Sequence, residues 1–123
     1  MFEELAIGKS AKLAKKFTPV HPDPKIGKKH GVSLMLYGKH SSEYQNAIAA
    51  TIRARQDGEM TLDEGIEQAA KLIVACCAGW ANTKAESEIK YDPEKLLEIL
   101  VSPDYKWMRL QADRFIQQDD NYF

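Results

Sequence analysis

Cysteine is scarce in this chain, and where it occurs it is badly placed to cross-link. The two cysteines, Cys76 and Cys77, are neighbours in an apolar, helix-like stretch. Adjacent side chains on a helix diverge by about 100°, which disfavours an ordinary disulfide between them. No second cysteine pair or histidine spacing completes a metal site, so both are read as small apolar core residues. Glycine-rich phosphate loops are missing as well: Gly27, Gly31 and Gly38 fit neither a P-loop nor a dinucleotide fingerprint. No apolar run approaches the roughly 20 residues of a membrane span. The start, Met1-Phe2-Glu3-Glu4, carries acids where a secretory signal carries bases, and no apolar stretch follows it. The expectation is a protein that stays in the cytoplasm where it is made.

What remains is ordinary globular material. With 123 residues, 44% of them hydrophobic and 28% charged, the chain suits one domain, 1–123, that buries a core of its own. Residues 1–14, weakly helical in pattern and broken by Gly8, read as an arm or short helix. The net charge of −1 conceals an imbalance, because residues 1–40 hold eight lysines and three acids (8 − 3 = +5) while 41–123 hold nine basic and fifteen acidic residues (9 − 15 = −6). Such an asymmetric chain can associate head to tail, so a homo-oligomer is expected. A basic end also raises nucleic-acid binding. The lysines, however, have few aromatics among them on which bases could stack, and a solvated lysine-rich face explains them more simply.

Periodicity orders the rest. Lys15 to Gly38 reads as a two-stranded antiparallel unit, with Val32, Leu34 and Leu36 alternating onto one face of the better strand. Such a pair is marginal alone and must pack on helices or on another subunit. Four helices follow, over 42–57, 62–78, 93–101 and 103–118. Ser42 with Gln45 and Thr61 with Glu64 have the spacing of capping boxes. The first helix places Tyr44, Ala47, Ile48, Thr51, Ile52 and Arg55 on one stripe. The second places Leu62, Ile66, Ala69, Ile73, Cys76 and Trp80 together and ends at Gly79 as a C-cap. Asp92-Pro93 and Ser102-Pro103 are helix starts, and 81–90 reads as a loop. Tyr105, Met108, Ala112 and Phe115 share one face of the last helix, with Trp107 and Leu110 widening it. The fold class is therefore α+β, mostly helical.

Catalytic equipment is not apparent. His21, His30 and His40 lie in loops or at strand ends with no acidic ligand pattern nearby. Ser41-Ser42 beside His40 is explained by helix capping, and Asp63-Glu64 suits a helix N-terminus. No catalytic, cofactor or metal residue is expected. The aromatics of the last third are more informative. Trp80, Trp107 and Phe115 suit a core between helices. Tyr122-Phe123 follows the polar run Gln117-Gln118-Asp119-Asp120, so that pair either folds back or docks into a partner. Trp80, Trp107, Met108, Phe115, Tyr122 and Phe123 are the candidate partner-binding residues.

The same segment carries a family resemblance. Ala78-Gly79-Trp80 closes an Ala-rich helix, and Tyr91-Asp92-Pro93-Glu94-Lys95 opens a short one. Tyr105, Trp107, Arg109, Gln111, Asp113, Phe115-Ile116 and an aromatic end with Asn121 follow. In order and spacing this resembles the tail assembly chaperones of long-tailed bacteriophages, most clearly over residues 70–123. The resemblance implies a protein that coats the long, helical tape measure protein and keeps it soluble while tail tube subunits polymerise around it. It further implies action in the host cytoplasm and absence from the mature virion. A frameshifted longer form would reach the tail tube protein. Small residues on the Leu62–Ala78 helix and aromatics on the Pro103–Gln118 helix would form a groove for the partner. Two other readings stay open: a structural tail or neck protein retained in the virion, and a small DNA-binding regulator using the lysine-rich start.

Overall fold

Leu34 and Leu36 anchor the centre of the molecule, on a strand that has a partner on each side. A computed structural model of the protein describes residues 3, 6, 12–55, 58, 60–84 and 89–123. Strand β1 (Lys15–Phe17) and strand β2 (Val32–Leu36) pair antiparallel, with Phe17 opposite Leu34. Helices α1 (Ser42–Arg55) and α2 (Leu62–Cys76) follow. The chain then forms β3 (Cys77–Asn82), which adds to the other side of β2 and places Trp80 opposite Leu34. Helix α3 (Pro93–Val101), a 3-10 turn (Pro103–Tyr105), helix α4 (Lys106–Gln117) and a second 3-10 turn (Asp119–Asn121) complete the α+β, mostly helical architecture. The sheet order is β1-β2-β3, antiparallel throughout. The arm or short helix expected over 1–14 lies mostly outside the described residues, as do the end of the first helix at 57 and the middle of the 81–90 loop.

Several expectations are corrected. The strand unit has three strands, and the helix expected over 62–78 ends at Cys76. Gly79 is no C-cap: Cys77 takes that place with extended backbone, φ −89° and ψ 121°, and Gly79 is not among the glycines of positive φ. The Cys76 carbonyl instead accepts from the Tyr37 N–H at 2.8 Å. A helix end is thereby satisfied by the sheet it runs into. Leu36 pairs with Cys77 and Met35 with Gly79, so Ala78 is an extra residue where helix becomes strand. The last helix begins as a 3-10 turn, and its α part runs over 106–117 rather than from 103 to 118. At the start of α1 the cap is Ser41, not Ser42: Ser41 Oγ accepts from the Tyr44 N–H at 3.2 Å. Gln45 donates to the Lys39 carbonyl at 2.7 Å. Thr61 and Asp92 cap α2 and α3 as their sequences imply.

Helix α2 packs against α1, α3 and α4. The core joins Leu34, Leu36 and Phe17 from the sheet to Ile73 and Cys76 of α2, Leu96 and Leu100 of α3, and Ala112 and Ile116 of α4. Leaving one large core side chain exposed would forfeit about 1.5–3 kcal/mol. The long connection between β1 and β2 is tied down by polar groups that sequence periodicity does not reveal. The His30 ring accepts from the Val32 N–H through Nδ1 at 2.9 Å, so its Nε2–H donates to the Pro19 carbonyl at 2.6 Å. From α4, the Gln111 side-chain amide makes two bonds of 2.8 Å to the Val20 backbone, one in each direction, as a neighbouring strand would.

Both cysteines are unpaired, with Cys76 fully buried. Desolvation, aided by the negative field of Glu43, pushes the Cys76 thiol from 9.0 up to about 12. Between those values the unfolded chain has lost this proton and the folded one keeps it, so stability falls as pH rises. The slope from this group is at most ~1.4 kcal/mol per pH unit. Tyr122 is raised by the same burial, which steepens the loss at higher pH. Denaturant midpoints should therefore drop between pH 9 and 11. Cys76→Ala, less stable at neutral pH, should show a visibly shallower drop.

A candidate helix-binding groove between α2 and α4

The first turns of α2, the residues just before them and the middle of α4 border an open groove of about 830 Å³. Met60, Leu62, Gly65, Ile66, Ala69 and Leu110 line it, and Arg109 lines it too. Leu62 is 81% exposed and Leu110 is 52% exposed. A single exposed leucine is unremarkable. Two on different elements of one concave surface make an apolar patch of the kind that marks interaction sites. Leu62 was expected on the buried stripe of its helix, but as the first residue after the Thr61 cap it lies beyond the core. The residues actually buried on α2 are Ala70, Ile73 and Cys76.

Gly65 shapes one wall. A Cβ placed there meets nothing within 4 Å, so the protein's own packing does not require glycine. Glycine inside a helix costs about 1 kcal/mol relative to alanine. With Ala69 one turn on, it leaves a shallow wall that lets another helix approach closely. A second cavity of about 500 Å³ lies between α2 and α3, lined by Leu97, Val101 and Pro103 with Asp63, Glu67 and Glu98. Ile66 borders both cavities.

The residues selected from the sequence lie elsewhere. Trp80 is half-buried on β3, edge-on to Tyr91 at 5.1 Å, with its indole N–H donating to the Ile89 carbonyl at 2.9 Å. It is not on the α2 stripe. Trp107 is half-buried, donates to the Asp104 carbonyl at 3.1 Å and meets His21 edge-on at 5.1 Å. Met108 packs partly buried on the core, while Tyr105, expected beside it, is exposed. Phe115 lies between Phe17 at 5.2 Å and Tyr122 at 5.7 Å. Tyr122 is 7% exposed, and its hydroxyl donates to the Leu36 carbonyl at 3.1 Å. It folds back into the core, so its ring is taken up by this chain. Phe123 remains 54% exposed beside His40, whose Nε2 is 3.0 Å from Asp119. The structure thus joins Phe115 to Tyr122 and leaves Phe123 as the exposed member of the terminal pair.

Leu62, Gly65, Leu110 and Arg109 were not selected from the sequence. One signal was available, a charged residue at the phase of α4 that carries Ala112 and Ile116. Comparison with protein-family models, with curated proteins and with solved structures returns no match. Among the described residues no helix is long and apolar enough to cross a membrane.

Proposed function

We propose that this protein is a tail assembly chaperone of a long-tailed bacteriophage, which holds the tape measure protein soluble by binding its apolar helical stripes in the α2–α4 groove. The observation that carries this reading is the pairing of Leu62 and Leu110, both exposed, on one groove whose wall at Gly65 is open. Helix-in-groove recognition needs an apolar trough with room for a second backbone, and these residues supply both. The C-terminal sequence resemblance supports the same class of partner. Each groove is small, so many copies along one long chain would supply avidity from individually weak contacts. Binding would take place in the host cytoplasm, before tube subunits replace the chaperone.

Co-expression with the tape measure protein of the same phage tests the reading. The tape measure protein should move from the insoluble to the soluble fraction and co-purify with several copies of this chain. Equal insolubility with and without it would end the proposal.

A further inference from the structure

The groove holds a charge for which the described residues supply no ion-pair partner. Arg109 is 8% exposed, and its Nη1 donates to the Leu100 carbonyl at 3.0 Å. A guanidinium has five N–H donors. Among the described residues the ion pairs are Lys39–Asp119, His40–Asp119 and Lys71–Glu67, none of which involves it. Its other donors are not sealed inside either. Tyr91 Oη alone, among described side-chain polar atoms, is buried without a bond. Arg109 itself lines the α2–α4 groove. Burying a cation without a counter-ion is costly, and an apolar side chain of similar length would fill the same space more cheaply. Across Ile66 the sign reverses, where Asp63 and Glu98 line the second cavity without an ion pair among the described residues.

We infer that the groove selects a helix carrying a carboxylate within its apolar stripe, which pairs with Arg109 in the two-bond geometry that guanidinium and carboxylate share. A basic residue further along that helix would face Asp63 and Glu98. This inference rests on the reading of the groove as a helix-binding site and names the chemistry of the helix it takes.

The test uses the full chain and two synthetic helical peptides with the same leucine stripe, one with Glu and one with Gln at its centre. Calorimetric titration should show the Glu peptide binding at least about tenfold tighter. Arg109→Met loses the bond to the Leu100 carbonyl and should melt a few degrees lower, but once folded it should bind both peptides equally. Equal affinity of the unsubstituted protein for the two peptides overturns the inference, whether or not Arg109→Met folds. So does a preference that survives in Arg109→Met. If neither peptide binds while the tape measure protein is still held soluble, the inference fails and the chaperone reading stands. If the tape measure protein also stays insoluble, both fail. Self-association that Gly65→Trp abolishes would make a second copy the occupant and overturn the inference.

Discussion

Tyr122→Ala should lower the stability of this protein by about 3–5 kcal/mol, the usual cost of emptying a buried aromatic site. For a domain whose total stability is of order 5–15 kcal/mol, that shifts the melting temperature by roughly 10–20 °C. The magnitude follows from three contacts made by the last-but-one residue. Its ring meets Phe115 at 5.7 Å, its hydroxyl donates to Leu36 at the centre of the sheet, and its face covers Gly38. A Cβ on Gly38 would stand 2.8 Å from two ring carbons of Tyr122, so Gly38→Ala must displace the ring. Its cost should be about 1–3 kcal/mol. In the Tyr122→Ala background most of that cost should vanish, because the obstacle has gone. Additive costs in this double-mutant cycle, read from denaturant curves, would contradict the contact. Tyr122→Phe keeps the ring and should lose only about 1 kcal/mol, from the bond to Leu36.

The second large effect is on binding and leaves the fold alone. Leu62→Asp with Leu110→Asp should weaken capture of the tape measure protein by about 100-fold or more, since burying each leucine stabilises a complex by ~1.5–3 kcal/mol. Both side chains are more exposed than buried. An acid at the first position of α2 also suits the helix dipole. The melting temperature should therefore change by no more than about 4 °C. Phe123→Ala at the other exposed aromatic should leave capture unchanged. Co-purification and thermal unfolding of the same variants check both statements.

The elements legible in the sequence were those specified by local chemistry. Asp92-Pro93 fixes α3 through a side chain that accepts from the Glu94 and Lys95 N–H groups, and its bounds match expectation. The alternation of Val32, Leu34 and Leu36 likewise marks β2. Strand β3 was hidden because Ile73-Val74-Ala75-Cys76-Cys77-Ala78 is apolar at either period. The empty side of β2 decides where helix gives way to strand, and that is tertiary information. For Tyr122 the sequence leaves folding back and docking both open, because the polar run before it looks like the end of the core. In the fold that run makes a 3-10 turn, with the Tyr122 N–H donating to the Asp119 carbonyl at 2.9 Å, and returns the ring inward. A groove between these two helices is expected from the sequence, but its α4 side is lined by Arg109 and Leu110 in place of the expected aromatics, for a related reason. Leu62 and Leu110 share apolar stripes with core residues, and only the ends of neighbouring helices determine which members of a stripe are covered.

Gly65→Trp tests the central claim most directly, because it fills the groove from a position where the protein's own packing leaves open space. The variant should melt like the unsubstituted protein. Co-expressed with the tape measure protein, the unsubstituted chain should keep that partner soluble, and folded Gly65→Trp should leave it in the pellet. Equal rescue by both would place the partner elsewhere on the surface and contradict the assignment of the α2–α4 groove.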